Sequence, residues 1–415
     1  MSGPAPVGAA PDVVCLGESM VTFLPSRPGR LADVPSFTRA IGGAESNVAC
    51  GLAAAGHRVR WVGRVGRDGF GDHLVDAIAG HGVDVSAVGR DPHRPTGVYF
   101  RTDEDRAGDA HEVVYYRAGS AASAMSPATV PYDVVAGARI LHLTGITAAL
   151  SADCLALVRE LTAPRPGRPL VSFDVNHRPS LWRGGRAPDV LLELARRADL
   201  VFVGADEAER LWGTGDPAAV RALLAEPEVL VVKRGGAEAV AFRRRVALGR
   251  VAPGRVAPGR VAPGRVAPGQ GDPLPAPEPR PDVRPVASGA RTPSDPPVSA
   301  PGVRPSDSDA VTAVPAPRVE VVAPVGAGDA FAAGFLSATL RGLDATARLR
   351  HGHLAAAAAL TVPGDFAAPP RRDRADRLAA LDGAAWGTLH LGPGWTGDDQ
   401  EGPDRTGDDQ EVRTP

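Results

Sequence analysis

The sequence predicts an α/β fold in which a mostly parallel β-sheet is covered by helices on both faces. Short β-branched runs alternate along the chain with amphipathic stretches, and these runs are apolar throughout. Continuous apolar strands are typical of a sheet buried on both sides, and strand–helix alternation is typical of parallel pairing. The runs interpreted as core strands are DVVCLGE, VRWVGRVG, ARILHLTGI, PLVSFDVN, DLVFVG and EVLVVKRG.

The segments between these strands carry helical patterns, with one exception. SADCLALVREL, APDVLLELARRA and DPAAVRALLA are amphipathic and predict helices. In contrast, GVYFRTDED and HEVVYYRAG predict two neighbouring strands, at about 97–118, joined by the turn-like DRAGDA. An antiparallel pair beside a parallel core suits a lid over the strand ends, where such folds bind ligands.

Composition excludes several classes of protein. The chain has 415 residues and a formal net charge of −2, so we expect neither nucleic acid nor a membrane as partner. Its 3 cysteines are scattered without metal-type spacing, which indicates a reduced, cytoplasmic protein. The amino terminus lacks the basic start and apolar run of a signal peptide, and we expect no transmembrane segment.

Two segments are too poor in large apolar residues to form a core. The segment at about 245–317 is rich in Pro, Gly, Ala and Arg and repeats the pentad VAPGR, so we predict a disordered insertion. Its arginines could attract a polyanion, but a solvated spacer is the simpler interpretation. The acidic segment 392–415 repeats TGDDQE and predicts a disordered tail. A single domain over 12–391 remains.

The strongest local motif is VEVVAPVGAGDAF. A predicted strand, Val319 to Val322, leads into Gly326-Ala327-Gly328-Asp329 and then a helix of small residues. The unpaired amides and the dipole of a helix start favour a bound anion such as a transferring phosphoryl group. Asp329 could then accept the proton of an attacking hydroxyl. The motif alone leaves a second interpretation open, in which the glycines permit close packing and Asp329 caps the helix.

A second glycine motif lies near the start, in IGGAESNVACGLAAAGH. Gly42-Gly43 precedes a predicted helix of small residues from Ser46 to Ala55, with Glu45 and Asn47 nearby. A glycine pair beside these polar side chains suits a hydroxyl-rich ligand. A turn followed by a tightly packed helix would explain the same pattern.

Together, and in this order, the two motifs resemble the signature regions of the ribokinase-like (PfkB) carbohydrate kinases, and the resemblance covers nearly all of the predicted domain. It implies a ribokinase-like fold and phosphoryl transfer from ATP, with Mg²⁺ bridging the β- and γ-phosphates. It assigns the role of catalytic base to Asp329 and the anion hole to the amides of Gly326, Ala327, Gly328 and Asp329.

Two further stretches are similar to those of 2-keto-3-deoxygluconate kinases within this family. DVNHRPSLW resembles their DxNxRxxLW stretch and implies that Arg178 faces a substrate carboxylate. VVYYRAGSAAS resembles their YxRxGSA region and places Tyr115 and Arg117 on the substrate. Arginine suits this role because its planar fork binds a carboxylate through two parallel hydrogen bonds. The remaining residues implied for the sugar pocket are Tyr99, Glu18, Gly43 and Asn47.

The same resemblance outlines the nucleotide side. VVKRGGAEAVAF is similar to a strand–turn–strand that lies along ATP, which gives Lys233, Gly235 and Gly236 as ATP-binding candidates beside Gly326 and Gly328. Two additional carboxylates are implied: Asp365 near the substrate, and Glu207, from the family's NxxE motif, near Mg²⁺ through water. Family members with such a lid often pair through it, which implies a homodimer.

Two positions depart from the family pattern. Ala323 stands where DxxGAGD has its first aspartate, which serves a monovalent-cation site in many members, so cation activation is left open. Gly204 replaces the asparagine of NxxE. Two alternatives therefore stay beside a sugar-acid kinase: a kinase for another substrate (fructose, ribose, 5-dehydro-2-deoxygluconate or a nucleoside), and a sugar- or nucleotide-binding regulator with weakened catalysis.

Overall fold

A computed structural model of the chain describes residues 10–27, 29–102, 113–182, 185–244 and 309–397. The strands are β1 Val13–Leu16, β2 Met20–Pro25, β3 Phe37–Gly42, β4 Val59–Val62, β5 Arg64–Gly66, β6 Gly89–Asp91, β7 Val98–Arg101, β8 Val113–Tyr116, β9 Ile140–Thr144, β10 Leu170–Asp174, β11 Leu200–Gly204, β12 Val229–Lys233, β13 Glu238–Arg244, β14 Asp309–Pro315, β15 Arg318–Val319 and β16 His390–Leu391. The helices are α1 Ala44–Ala54, α2 Gly69–Gly80, α3 Gly145–Ala149, α4 Ala152–Thr162, α5 Ala187–Arg197, α6 Ala205–Trp212, α7 Pro217–Leu223, α8 Ala327–Leu340, α9 Ala345–Leu360, α10 Arg372–Ala379 and α11 Gly383–Gly387.

The central sheet has the strand order β14-β13-β12-β11-β10-β9-β1-β4. From β4 to β12 all neighbouring strands are parallel, and β13 and β14 are antiparallel at one edge. The predicted α/β class and the strands predicted from apolar runs are confirmed. Parallel pairing brings the carboxyl ends of β1, β9, β10, β11 and β12 to one edge of the sheet, where ligands bind in such folds.

Both faces of this sheet are covered, and strand alternation explains why. On β1, Val13 and Cys15 pack in one apolar cluster with α1, α8 and α9, whereas Val14 and Leu16 pack in a second cluster with α4 and α5. Successive side chains of a strand point to opposite faces, so a run that is apolar throughout must be buried on both sides. This arrangement buries the central sheet on both faces.

The predicted lid strands form β7 and β8, which pair antiparallel. They belong to a four-stranded sheet of order β3-β2-β7-β8, in which β2 runs parallel to β7. The contribution of β2 and β3 to the lid was not predicted. Phe23 of β2 stacks on Phe100 of β7 with ring centroids 4.6 Å apart, which ties the two halves of this sheet together.

The predicted insertion at about 245–317 extends too far at its carboxyl end. Residues 309–315 form β14, which pairs antiparallel with β13 from Arg244↔Asp309 to Glu238↔Pro315. Asp309 also forms a buried ion pair with Arg221 at 2.7 Å. The Pro-, Ala- and Ser-rich sequence on its amino-terminal side hid this strand, which lies at the edge of the sheet. Positions 245–308 of the predicted insertion lie outside the described residues.

Two other predicted boundaries need correction. The strand predicted at Val319 to Val322 ends at Val319, since β15 pairs only with the two residues of β16, and Val321 and Val322 are exposed. The predicted tail begins too early. Residues 392–397 are described, and Trp395 is buried against the core. The rest of that tail, 398–415, lies outside the described residues.

Among the residues that the structure describes, no helix is both long and apolar enough to cross a membrane. Cys15, Cys50 and Cys154 are all buried and carry free thiols. Burial raises the pKa of each thiol, to about 12 for Cys50 and about 11 for Cys154, so these side chains act as small apolar core residues.

Candidate active site

A cleft lies between the carboxyl edge of the central sheet and the lid. The residues predicted for the sugar pocket all line it: Glu18, Gly43, Asn47, Tyr99, Tyr115, Arg117, Arg178 and Asp329. They come from distant parts of the sequence, because β1, α1, the lid, β10 and α8 all end or begin at this edge. The structure therefore brings the predicted set together. Asp365, which the sequence predicts near the substrate, also lines the cleft, and the structure adds Arg101.

The turn before α8 has the geometry of an anion site. Gly326 has φ +77°, which disfavours other residues, and a side chain on it would overlap the carbonyl oxygen of Asp365. The first backbone bond of the helix is donated by the Ala330 amide to the Gly326 carbonyl (2.9 Å). The amides of Ala327, Gly328 and Asp329 precede that bond, so they are available for an anion at the positive end of the helix dipole.

The carboxylate of Asp329 is held by side-chain amides from other elements. Asn47 Nδ2 donates to Oδ2 at 3.0 Å, and Asn176 Nδ2 lies 3.5 Å from Oδ1. Gly326 is the N-cap of α8, so Asp329 is not the helix cap that the sequence left open. Burial raises the pKa of Asp329 to about 6, against the opposing hydrogen bond from Asn47. A carboxylate with this pKa is ionised at neutral pH and is a stronger base than an exposed aspartate.

Lys233 lies beside the turn before α8. Its Nζ pairs with Asp174 Oδ2 at 2.8 Å and would lie 3.5 Å from a Cβ placed on Gly328. Burial opposes the charge, but the carboxylates of Asp174 and Glu207 outweigh it and keep the pKa of Lys233 above its usual value. Lys233 is therefore a fixed cation beside the candidate anion site.

The two glycines predicted to bind ATP follow Lys233 in the turn between β12 and β13. Gly235 has φ +56°, and among the residues described no heavy atom beyond the chain neighbours lies within 4 Å of a Cβ built on Gly235 or Gly236. The turn thus presents open backbone beside the cleft. A flat group could lie against it, which is consistent with the predicted nucleotide contact.

Glu207 braces two loops at this edge of the sheet. Its carboxylate accepts hydrogen bonds from the amides of His177 and Gly204, both at 2.8 Å. Burial and the negative charge of Asp174 raise the pKa of Glu207. Because Glu207 reaches back to the Gly204 amide, the start of α6 is capped although Gly204 has no side chain.

The loop around Ala323 is braced by backbone contacts. The amides of Val322 and Ala323 donate to the carbonyl of Leu360, the last residue of α9, at 2.7 and 3.3 Å. The Ala323 methyl supplies no oxygen ligand where the resembled pattern has a carboxylate. These two bonds tie the anion-site turn to the end of α9.

The lid side of the cleft contains two buried ion pairs. Arg117 pairs with Glu18, which also accepts a hydrogen bond from Ser120 at 2.6 Å. Arg101 pairs with Asp365 at 3.4 Å. Arg178 is exposed, and among the described residues it forms no ion pair. It is therefore the one of these arginines whose charge is available to a ligand.

Three polar residues of this region were not predicted from the sequence: Arg101, Asp174 and Asn176. Arg101 follows Tyr99 by two positions on a strand, so alternation would have placed it on the same face. Asp174 and Asn176 lie inside the DVNHR motif, in which Arg178 alone was predicted to contact the substrate. Glu45 is completely buried and accepts hydrogen bonds from Thr144 (2.7 Å) and Thr147 (2.6 Å), partners that no local motif indicates.

Comparisons with known proteins agree with this architecture. A family model described as pfkB family carbohydrate kinase matches residues 10–257 and 299–371. The chain is 40% identical over 214 residues to a 2-dehydro-3-deoxygluconokinase from Bacillus subtilis and 35% identical over 224 residues to one from Thermoproteus tenax. These alignments cover 50% and 52% of this chain and 64% and 66% of the relatives, slightly less than two thirds of each.

Solved structures show the same fold. A PfkB protein from Polaromonas, 29% identical, superposes with a TM-score of 0.63, and the match covers 90% of this chain and 100% of that one. A second solved structure is a putative ribokinase II from E. coli in complex with ATP and Mg²⁺, which is 20% identical to this chain. It superposes with a TM-score of 0.65, and the match covers 88% of this chain and 98% of that one.

The fold and the cleft thus define a ribokinase-like α/β protein with an anion site facing a polar pocket. With the family model matching most of its length, the chain belongs to the pfkB family of carbohydrate kinases.

Proposed function

We propose that the protein is an ATP-dependent kinase that phosphorylates the primary hydroxyl of a sugar acid, 2-keto-3-deoxygluconate, to give 2-keto-3-deoxy-6-phosphogluconate. One observation carries this proposal. The cleft holds an arginine without an ion-pair partner among the described residues, Arg178, and a carboxylate bound only by amides, Asp329. A substrate with a carboxylate at one end and a hydroxyl at the other would bridge them.

The chemistry assigned to Asp329 follows from its position. A hydroxyl placed between Asp329 and the amides of Ala327 and Gly328 would lose its proton to the carboxylate as its oxygen bonds to the γ-phosphorus of ATP. The bond from that phosphorus to the β,γ-bridging oxygen would break, and ADP would leave with this oxygen. The amides at the start of α8 would then face the charge on the transferring phosphoryl group. The two asparagine amides fix the orientation of the carboxylate, so the base needs little rearrangement during the reaction.

The nucleotide side contributes positive charge and open backbone. Lys233 would face the phosphates, and the turn with Gly235 and Gly236 would lie along the nucleotide. Asp174 Oδ1 is buried and has no hydrogen-bond partner among the described residues, which suits a carboxylate that contacts Mg²⁺ through water, with Glu207 nearby. Mg²⁺, when bound, neutralises charge on the transferring phosphates.

The proposed preference for an acidic substrate rests on the positive charge of Arg178. Arg117 and Arg101 each face a carboxylate within the cleft, whereas Arg178 is free to form two parallel hydrogen bonds with the carboxylate of a ligand. A neutral sugar would leave this charge without a partner. The two relatives reported above carry names of kinases for such an acid, which supports the proposal.

The test is a substrate panel. ADP release is measured with Mg-ATP and 2-keto-3-deoxygluconate, 5-dehydro-2-deoxygluconate, fructose, ribose or adenosine, and ³¹P NMR identifies the phosphorylated position. We expect turnover with 2-keto-3-deoxygluconate and a 6-phosphate product. Turnover on fructose but not on the keto acid would contradict the assigned substrate. Binding without turnover of any sugar would favour a regulator.

We also infer that two copies pair through the lid. Tyr116 of β8 is 64% exposed, and its ring packs edge-on against Phe100 of the aromatic cluster on that sheet. Exposed aromatic surface on an edge strand favours association with another chain. Light scattering of the full chain should give a dimer mass, and Tyr116→Asp should shift it towards the monomer. A monomeric wild-type protein would contradict this inference.

A further inference from the structure

Glu45 is a completely buried carboxyl group in the first turn of α1. Its Oε1 accepts hydrogen bonds from the hydroxyls of Thr144, the last residue of β9, at 2.7 Å and of Thr147, in α3, at 2.6 Å. Its Oε2 has no hydrogen-bond partner among the residues described. An ionisable group at this depth costs free energy, so its contacts indicate what it contributes.

The carboxyl group of Glu45 is held from two sides. The threonine hydroxyls hold it from β9 and α3, and on another side a side chain at Gly17, just after β1, would overlap it. Strands β1 and β9 are neighbours in the central sheet. The first turn of α1 is therefore fixed to the carboxyl edge of that sheet through Glu45.

The same turn carries the contact to the candidate base. Asn47 follows Glu45 by two residues, and its Nδ2 donates to Asp329 Oδ2 at 3.0 Å. Two residues of an α-helix are roughly 200° apart around its axis, so these side chains leave the turn in nearly opposite directions. Glu45 reaches the sheet and Asn47 reaches α8. A shift of this turn would move the Asn47 amide relative to Asp329.

The protonation of Glu45 suggests a substitution that keeps its contacts. Burial, and less strongly the negative charge of Asp329, raise the pKa of Glu45 to about 7, against the hydrogen bonds from Thr147 and Thr144. The carboxyl group is therefore partly protonated near neutral pH. Glutamine has the shape of the protonated form, and its amide oxygen still accepts from both hydroxyls.

We propose that Glu45 is a positioning residue: by anchoring the first turn of α1 to Thr144 and Thr147, it holds the Asn47 amide on the carboxylate of Asp329. This inference rests on the proposed function, because it concerns how the base of the same reaction is oriented. A merely structural role for Glu45 would stabilise the fold without acting through Asn47.

The kinetic test is a double-mutant cycle with 2-keto-3-deoxygluconate and Mg-ATP. Glu45→Met should lower kcat by about ten- to a hundredfold, since a small displacement at a catalytic group is costly. In the Asn47→Ala background the same change should cost less than about twofold, because the contact through which Glu45 acts is already lost. Glu45→Gln should keep kcat within about threefold of the wild-type value. Equal losses in both backgrounds, or a loss in Glu45→Gln as large as in Glu45→Met, would overturn the proposal.

Two further variants leave Glu45 in place. Thr147→Val removes one of its two donors and should lower kcat about threefold, but not in the Asn47→Ala background. Ser46→Ala is the matched control. It removes another buried hydroxyl of the same turn, one that donates to Ser19 at 3.0 Å, and should leave kcat within about twofold. No loss in Thr147→Val, or a larger loss in Ser46→Ala, would contradict the anchoring role.

Failure of the proposed function gives a different result, because the wild-type protein would then phosphorylate no sugar acid. NMR of protein labelled with ¹⁵N at asparagine needs no turnover, and Asn47→Ala identifies the side-chain signals of Asn47. In the wild-type protein and Glu45→Gln these signals should shift as Asp329 ionises near pH 6, and in Glu45→Met the shift should be lost. A shift of unchanged size in Glu45→Met refutes the proposal. Circular dichroism checks that each variant is folded.

Discussion

The side-chain amide of Asn47 donates to the carboxylate of Asp329 at 3.0 Å, across 282 positions of sequence. The bond joins the first turn of α1 to the first turn of α8, the two glycine-led helix starts that the sequence singles out. The glycine pair near the start and the late GAGD turn are therefore parts of one site. The orientation and the pKa of the candidate base both depend on this contact.

The first prediction concerns the base itself. Asp329→Asn should lower kcat by roughly 10²–10⁴, with little change in the KM of either substrate, because it removes a proton acceptor and keeps the shape. In the wild-type protein, kcat/KM should fall as the pH drops below about 6, where Asp329 becomes protonated. Steady-state kinetics between pH 5 and 8 provide both measurements. An unchanged kcat in the variant would remove the assigned role.

The second prediction concerns Asn47. Its hydrogen bond lowers the pKa of Asp329 against the effect of burial, so Asn47→Ala should raise that pKa above about 6. The acid limb of the kcat–pH profile should then move towards higher pH by about half a unit to one unit, the effect of one lost hydrogen bond. Asn176→Ala is the matched control, because its amide lies farther away, at 3.5 Å, and a smaller shift is expected. A limb that does not move in Asn47→Ala would show that the contact does not tune the base.

The sequence was sufficient for the sheet and for most of the cleft, because both follow from local patterns. Apolar runs such as the one containing Phe202 predict strands buried on both faces, and glycine-led helix starts predict the two sides of the site. The sequence did not predict which charged residues form ion pairs across the fold. Nothing near Arg101 indicates that its partner is Asp365, 264 positions later, since ion pairs across a fold depend on where the chain returns. The edge strand β14 was missed for a related reason: its neighbour β13 lies on the far side of 64 intervening residues.

The third prediction separates two glycines with similar backbone angles. Gly326→Ala places a methyl group against the Asp365 carbonyl at φ +77°, whereas Gly235→Ala meets open space at φ +56°. Both variants carry left-handed strain of about 1–2 kcal/mol, but only Gly326→Ala adds an overlap, so it should lose more stability and nearly all activity. Urea unfolding and the ADP assay measure these effects. Equal losses of stability and activity in the two variants would mean that the overlap with the Asp365 carbonyl has no effect and that the backbone angle alone causes the loss.

The fourth prediction uses Glu45. Burial raises its pKa to about 7, against hydrogen bonds from the two threonines of β9 and α3. A carboxyl group with a raised pKa binds a proton more tightly in the folded protein, so it contributes less stability as the pH rises from about 4.5 to 7. Between pH 5 and 8 the free energy of unfolding should fall by about 2–3 kcal/mol more in the wild-type protein than in Glu45→Gln.

Urea titrations at both pH values measure this difference. Asp329→Asn is the control for a second carboxyl group with a raised pKa, which titrates at a lower pH, about 6. Parallel pH dependences in the wild-type protein and Glu45→Gln would show that Glu45 is ionised in the folded state throughout this range.

The last prediction concerns positions 245–308. Arg244 and Asp309 are direct partners in the antiparallel pair of β13 and β14, so a two-residue Asn-Gly turn in place of 245–308 closes a regular hairpin. This variant should keep kcat and unfold within a few degrees of the wild-type protein, because loop length has only a logarithmic effect on stability. Deletion of 245–317 is the contrasting variant. It removes β14 and leaves Arg221 without the carboxylate that it pairs with at 2.7 Å, so we expect insoluble or unfolded protein. Thermal unfolding and the ADP assay compare the two, and a large loss of stability in the Asn-Gly variant would show that 245–308 packs against the domain.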